Sequence, residues 1–459
     1  MTRFIRLRIA ALGLLTMAVA AVTILRADVP HVFAIKGARI VTVAGTPIAS
    51  GTIVVRNGLI EAVGADVAVP PTATVIEGAG LTVYPGLIDM GTSTGVEVPT
   101  TTPPTFRTTA EAERFRRSIN FRPDLDAASH LRADSPELTR FASAGITSVL
   151  ATPPNGIFKG QSALVNVAGS VSERPQIGNV GDYREGLQVV RTPVALHVDY
   201  GGGGGRGGGY PVSLMGVISF VRQHFIDARY QRALQERYAK AANTGTPRPN
   251  YDASLNALQP ALDGKLPVAF EANAAREILR VLEMAREFKL DPIVTGAGEA
   301  NDVAEDLKGR NVRVIYNVNY PTRSRSLPPD ADEPLSVLRA RANAPKVPAA
   351  LQKAGVTFAF SSAGLRDPRD FVRNVARAVR EGLPADAALR ALTADAAKIA
   401  GAGDRLGTLE KGRIANLLVT EGDIFDNAMK VKHVFVDGRM VNVEEAPPQT
   451  GGRGGRGGQ

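Results

Sequence analysis

The chain has no cysteine, no tryptophan and only five histidines among 459 residues. Without cysteine there can be no disulfide, thiolate metal site, iron–sulfur cluster or cysteine nucleophile. Aromatic residues are only 5% of the chain, which argues against a surface of base-stacking platforms for single-stranded nucleic acid. After residue 25 no stretch is long and apolar enough to be read as a membrane span. What remains is an ordinary globular composition, 44% apolar, in a chain long enough to bury one or two sizeable cores.

The formal charge of +9 overstates the basicity of the working protein. Arg3, Arg6, Arg8 and Arg26 lie in or beside an N-terminal leader, and removing them leaves about +5, too modest to identify a partner. Three arginines followed by an apolar stretch, Ile9 to Leu25, make the charged region and apolar core of a secretory signal in residues 1–27. Cleavage after Ala21 or after Ala27 fits, and so does an uncleaved anchor. The expected location is therefore exported, periplasmic or extracellular, with membrane contact only through an uncleaved leader.

From Val32 to Thr82 the grammar is that of short β-branched strands. Arg56-Asn57-Gly58 is a hairpin turn, and Thr72–Glu77 reads as a further strand. It returns near the C-terminus in Ile414–Thr420, Val431–Val436 and the turn Asp437-Gly438. Neither segment is large enough for a good core alone, so residues 33–80 and 405–443 are expected to form one composite β-domain. Between them, short apolar runs such as Gly145–Ala151, Val194–Asp199, Pro267–Ala272 and Gly355–Ser362 alternate with helical stretches such as Ala274–Phe288. Repeated strand–helix units predict an α/β protein with a parallel sheet, open or closed. Two glycine runs, 201–209 and the Gly/Arg tail 444–459, lack the spacing of a phosphate loop and read as a flexible loop and a disordered end. So few arginines beside an export signal argue against an RGG-type tail, and no nucleic-acid partner is expected.

Leu81–Met90 (LTVYPGLIDM) resembles the first barrel strand of the amidohydrolase superfamily, near its imidazolonepropionase-like and dihydroorotase-like branches. Leu389–Ala397 and Arg405–Val419 resemble that family's last barrel helix and its return to the flanking domain. Gly145–Leu150 and Gly156–Val167 fit inside the same frame. The resemblance implies a (β/α)8 TIM barrel over 81–404 beside a small β-sandwich built from both chain ends. It also implies zinc or another divalent metal, held first by two histidines just after the Gly-Leu-Ile-Asp turn. In this sequence Gly91 and Ser93 occupy those places, and Ala363 best matches the last-strand aspartate. No two histidines stand at clamp spacing, so the metal site reads as lost and no cofactor is expected.

His31 and His433 read as structural, His224 as a helix residue that is packed or on the surface, and His130 lies in polar sequence. His197, near the carboxyl end of a predicted strand, is where barrel chemistry usually occurs. Glu271, His197 and Asp89 are the candidate catalytic residues. Asn273, Asn317, Ser361, Ser362, Lys159 and Gln161 are candidates for facing a ligand. Asp89 and Glu271 can be read as a carboxylate pair; the plainer alternative is that Asp89 caps a loop and Glu271 pairs with an arginine. Two functions stay open. One is hydrolysis of a non-peptide, cyclic amide C–N bond, with Glu271 as base and a small amide as ligand. The other is a non-catalytic barrel that binds a ligand, self-associates, or stabilises a metal-bearing paralogous subunit.

Overall fold

The computed structural model describes residues 32–99, 102–132, 135–167, 183–184, 187–201, 210–241, 245, 247–324, 326–328, 330–441 and 443. The leader 1–27, His31, all but Gly201 of the run 201–209, and the tail 444–459 lie outside them. Among the described residues no helix is long and apolar enough to cross a membrane.

The chain opens with β1 (Val32–Ile40), β2 (Ile48–Arg56), β3 (Leu59–Gly64), β4 (Thr74–Glu77) and β5 (Leu81–Pro85). Asn57 and Gly58, with φ of 51° and 82°, make the β2–β3 turn, whose paired positive φ values match the right-handed twist of the strands it joins. Next come β6 (Leu87–Thr92), β7 (Ile146–Ala151), β8 (Phe158–Gln161), β9 (Ala163–Asn166), β10 (Tyr183–Arg184) and β11 (Leu187–Arg191). The series continues through β12 (Leu196–Asp199), β13 (Val268–Ala272), β14 (Pro292–Gly296), β15 (Arg313–Asn317) and β16 (Phe358–Ser361). It closes with β17 (Leu417–Glu421), β18 (Lys430–Val436) and β19 (Arg439–Val441).

These strands make an α/β fold with three mixed sheets. Strands from both chain ends share the first, in the order β19-β18-β17-β5-β1-β2-β3, with β4 beside β1. Its join is antiparallel, Leu417 opposite Pro85 through Glu421 opposite Leu81. The second sheet runs β10-β11-β9-β7-β6 and the third β16-β15-β14-β13-β12-β8. In the third, β12 to β16 are parallel and only β8 is antiparallel. β6 and β7 are buried at every residue, as expected of strands covered on both faces.

Helices return the chain between parallel strands. Ala275–Phe288 buries Ile278, Val281, Leu282, Ala285 and Phe288, at spacings of three and four that make one stripe. Its start is held by Glu277, whose carboxylate accepts from the backbone N–H groups of Asn273 and Ala274, both at 3.0 Å. It ends on Lys289 in the left-handed conformation. The long helix Leu214–Ala241 buries His224 against Phe121, with ring centroids 3.9 Å apart, and Nδ1 lies 2.8 Å from the Phe220 carbonyl. His224 is a core residue.

A separate core cluster joins the second and third sheets. Ile88, Met90, Leu150 and Leu164 meet Ala269, Ile293, Ile315 and Ala359, and residues from Ala396 to Leu406 close one end. A buried polar knot ties β7 and β9 to the first sheet. Asn416 Nδ2 donates to Ser148 Oγ (3.1 Å) and Asn166 Oδ1 (3.0 Å), while its Oδ1 accepts from the Asp437 N–H (2.8 Å). An aspartate there could not donate, which accounts for asparagine at 416.

Candidate functional site

The sequence-nominated residues fall into two groups at the carboxyl ends of the parallel strands. The first lies between β6 and β16. Asp89 is fully buried, and its Oδ1 accepts from the N–H groups of Gly91 (3.2 Å) and Ser362 (2.8 Å). Its Oδ2 accepts from the Ser362 hydroxyl at 2.5 Å. Burial pushes its pKa up to about 7, although the Ser362 and Gly91 bonds act in the opposite direction. Ser361 Oγ donates to the Gly91 carbonyl (2.9 Å) and accepts from the Ala363 N–H (3.1 Å).

This arrangement decides the fit of a metal at the positions the family resemblance nominates. Gly91 has no side chain, and a Cβ built there would stand 2.8 Å from Ser361 Oγ. The space an imidazole would need is held by a hydroxyl already engaged with the backbone. Ser93 is exposed, and so is Ala363, whose carbonyl accepts from Asn317 Nδ2 at 3.1 Å. Among the described residues no three His, Asp or Glu side chains converge. These residues do not fit the family's metal.

The second group lies where β8, β12 and β13 meet. Register places Asp199 beside Glu271 and His197 beside Ala269 on β13. Lys159 Nζ reaches Glu271 Oε2 at 2.6 Å and Asp199 Oδ2 at 3.2 Å. Burial works against this ammonium, but the two carboxylates outweigh it and hold its pKa above the ordinary lysine value. The Glu271 side chain remains 43% exposed, against 18% for Lys159. Gly160 has φ of 124°, and a Cβ there would meet the Leu125 carbonyl at 2.4 Å. Only glycine lets that loop press so closely on the backbone that carries Lys159. Gln161 anchors the same loop, donating through Nε2 to the Pro123 carbonyl at 3.0 Å.

His197 is buried, and its Nε2 has no hydrogen-bond partner among the described residues. Burial and then the Lys159 charge pull its pKa down to about 3, so the ring is neutral at ordinary pH. Asn273 and Asn317 do local work. Asn273 lies over Gly296, and Asn317 Oδ1 accepts from the Asn319 N–H at 2.8 Å.

Several sequence expectations are therefore corrected. Asp89 and Glu271 do not pair, because each is engaged with different neighbours on different strands. Asp89 does cap its own loop through the Gly91 N–H, but the cation beside Glu271 is Lys159 rather than an arginine. Ser361 and Ser362, read from the sequence as facing a ligand, are buried and donate to the Gly91 carbonyl and to Asp89. Asp199 was missed, although it stands two residues after His197 at the same strand end, on the same face by the period of two.

The sequence profile of the Amidohydrolase family matches residues 243–441. No curated protein matches the chain. Among solved structures, an amidohydrolase from Thermotoga maritima MSB8 is similar, at 22% identity and TM-score 0.72, covering 89% of this chain and 99% of that one. A prolidase complexed with N-methylphosphonate-L-proline gives 18% identity and TM-score 0.53, with coverage of 89% and 99%. Phenylurea hydrolase B gives 13% and 0.50, with coverage of 90% and 97%. At these identities the likeness speaks for architecture alone, and on it the chain has an amidohydrolase-superfamily-like fold.

Proposed function

We propose that this chain is an exported, amidohydrolase-like protein that holds a small amide or cyclic amide at its strand-end face without metal-dependent hydrolysis. In this reading the second and third sheets close as one (β/α)8 barrel beside a sandwich-type domain. The Ser361–Gly91 and Ser362–Asp89 hydrogen bonds support closure, because they join the edge strands β16 and β6.

The observation that carries the functional reading is Ser361. Its hydroxyl occupies the volume beside Gly91 and bonds the Gly91 carbonyl, which supports reading the family's first metal position as filled by protein here. Asp89, the nearest acid, is consumed by Ser362 and Gly91. The Lys159–Asp199–Glu271 cluster reaches solvent through Glu271 and offers an amide both donor and acceptor groups. The partial exposure of Glu271 favours one second reading, metal-independent hydrolysis with Glu271 as base.

The test is product release from a panel of cyclic amides and dipeptides, with and without chelator, together with elemental analysis of dialysed protein. We expect no turnover and less than one transition-metal ion per chain. Chelator-sensitive turnover, or one or two tightly retained ions, would overturn the proposal. Chelator-resistant turnover that disappears in Glu271→Gln would replace it with the hydrolytic reading.

A further inference from the structure

A cleft of about 230 Å³ opens beside the Asp89–Ser362 contact, and Lys159 is not among its lining residues. One wall is the helix Pro136–Ser143, which contributes Arg140 and Phe141; the other is the turn after β16, with Leu365, Arg366 and Pro368. Neither guanidinium makes an ion pair or hydrogen bond among the described residues. The neighbouring acid, Asp367, is held by Arg369 through its Nη2 at 2.8 Å and its backbone N–H at 3.0 Å, and Arg140 acts on it only as a more distant charge. Thr94 also lines the cleft, and its Oγ1 accepts from Thr92 Oγ1 at 2.9 Å, leaving its own proton to donate outward.

We infer that this cleft binds a small organic monocarboxylate with a short apolar body. Two arginines without a hydrogen-bonded partner among the described residues and a hydroxyl donor line one concave site, and the planar fork of arginine matches a carboxylate. Phe141, Leu365 and Pro368 supply an apolar wall. Glu137, also in the lining, bonds the Ser135 hydroxyl at 2.8 Å, and its negative charge disfavours a dianion such as phosphate. A cleft of this volume suits a small ligand rather than a polymer. The site shares no side chain with the Lys159 cluster and stands or falls separately from the function proposed for it.

Isothermal titration of the full chain with isovalerate tests the inference, with isovaleramide and inorganic phosphate as comparison ligands. Saturable binding of one isovalerate per chain is expected, with isovaleramide and phosphate much weaker. Arg140→Gln and Arg366→Gln should each weaken isovalerate about tenfold, the loss of one charge-assisted contact. The double variant should abolish binding. Arg140→Lys, which keeps the charge and loses the fork, should fall between wild type and Arg140→Gln. Melting temperatures of these arginine variants should be unchanged, and Arg373→Gln, whose guanidinium pairs with Asp370 instead, should bind as wild type does. Equal binding of isovaleramide, equal binding of phosphate, insensitivity to both arginines, or no saturable binding would each overturn it.

Discussion

The two groups of polar residues at the strand ends show opposite ways of managing charge. Between β6 and β16, Asp89 has no exposure and no counter-ion, and its oxygens are satisfied by one hydroxyl and two backbone N–H groups. At β8, β12 and β13, two carboxylates share a lysine and one of them remains open to solvent. The first group is closed on itself, with Ser361 packed where a ligand side chain would stand. The second retains unlike charges, of which Glu271 is open enough to exchange its partner. The two groups therefore show two ways of keeping polar side chains at strand ends in one molecule. Beside Gly91, which has no side chain, the Ser361 hydroxyl fills the space. Between Asp199 and Glu271 a lysine does so.

The sharpest way to break this contrast is to rebuild the closed end. Gly91→His forces Ser361 away from its 2.9 Å bond to the Gly91 carbonyl and overpacks a buried site. Overpacking and a lost buried hydrogen bond together should cost about 4 kcal/mol. Adding Ser93→His and Ala363→Asp should not recover metal-dependent hydrolysis, because no supporting shell surrounds them. Denaturant unfolding with and without zinc checks both statements. An unchanged midpoint, or strong stabilisation by zinc, would show that the closed end is still an open metal site.

Titration distinguishes the two ends next, and with opposite sign. Asp89 has its folded pKa raised from 3.8 to about 7, so its contribution is fully present below pH 3.8 and is lost as pH rises through 7. His197 is depressed from 6.5 to about 3, so its contribution is present above pH 6.5 and is lost as pH falls toward 3. Asp89→Asn, which keeps the shape and can still bond Ser362, should gain stability relative to wild type as pH rises from 4 to 7. His197→Leu should gain relative to wild type as pH falls from 6.5 to 4. Each difference should reach a few kcal/mol across its window. Parallel difference curves would remove the distinction between the ends.

Much of the architecture was legible because it is written in local patterns. The hairpin at Asn57-Gly58 needs positive φ, and the stripe from Ile278 to Phe288 repeats at helical spacing. The all-buried run at β7 stood out as an apolar segment, whereas β6 entered only through the resemblance of Leu81–Met90. The absence of side-chain ligands at Gly91 and Ala363 was visible residue by residue. What could not be read was which polar groups meet, since that depends on contacts between strands far apart in sequence. Lys159 and Glu271 are separated by 112 positions, and Asp89 and Ser362 by 273. Nothing local marks Ser361 as the filler beside Gly91. Asp199 did carry a signal, its place at a strand end in phase with His197, and arithmetic on the strand period would have found it.

At the open end, Lys159→Met should leave Asp199 and Glu271 facing each other without their cation. For fully buried acids the loss would be 3–5 kcal/mol. Solvent reaches Glu271 and screens the repulsion, so about 2 kcal/mol is the better expectation. Thermal unfolding at low and high salt measures it, with added salt recovering part of the loss. No loss at all would mean that the lysine merely lies beside the acids.

The smallest change in stability belongs to Glu271→Gln, and it says most about function. The amide keeps an oxygen that can accept from Lys159, and the lysine retains Asp199 at 3.2 Å. The side chain is 43% exposed, so the exchange should alter stability by less than about 1 kcal/mol. Any effect on ligand binding or turnover then cannot come from a disturbed fold. If a cyclic amide binds by donating its N–H to Glu271, the variant should weaken binding about tenfold while the melting temperature holds. If binding and melting temperature are both unchanged for every amide tried, Glu271 serves only to position Lys159. The open end would then be as self-contained as the closed one, and the contrast between them would reduce to exposure alone.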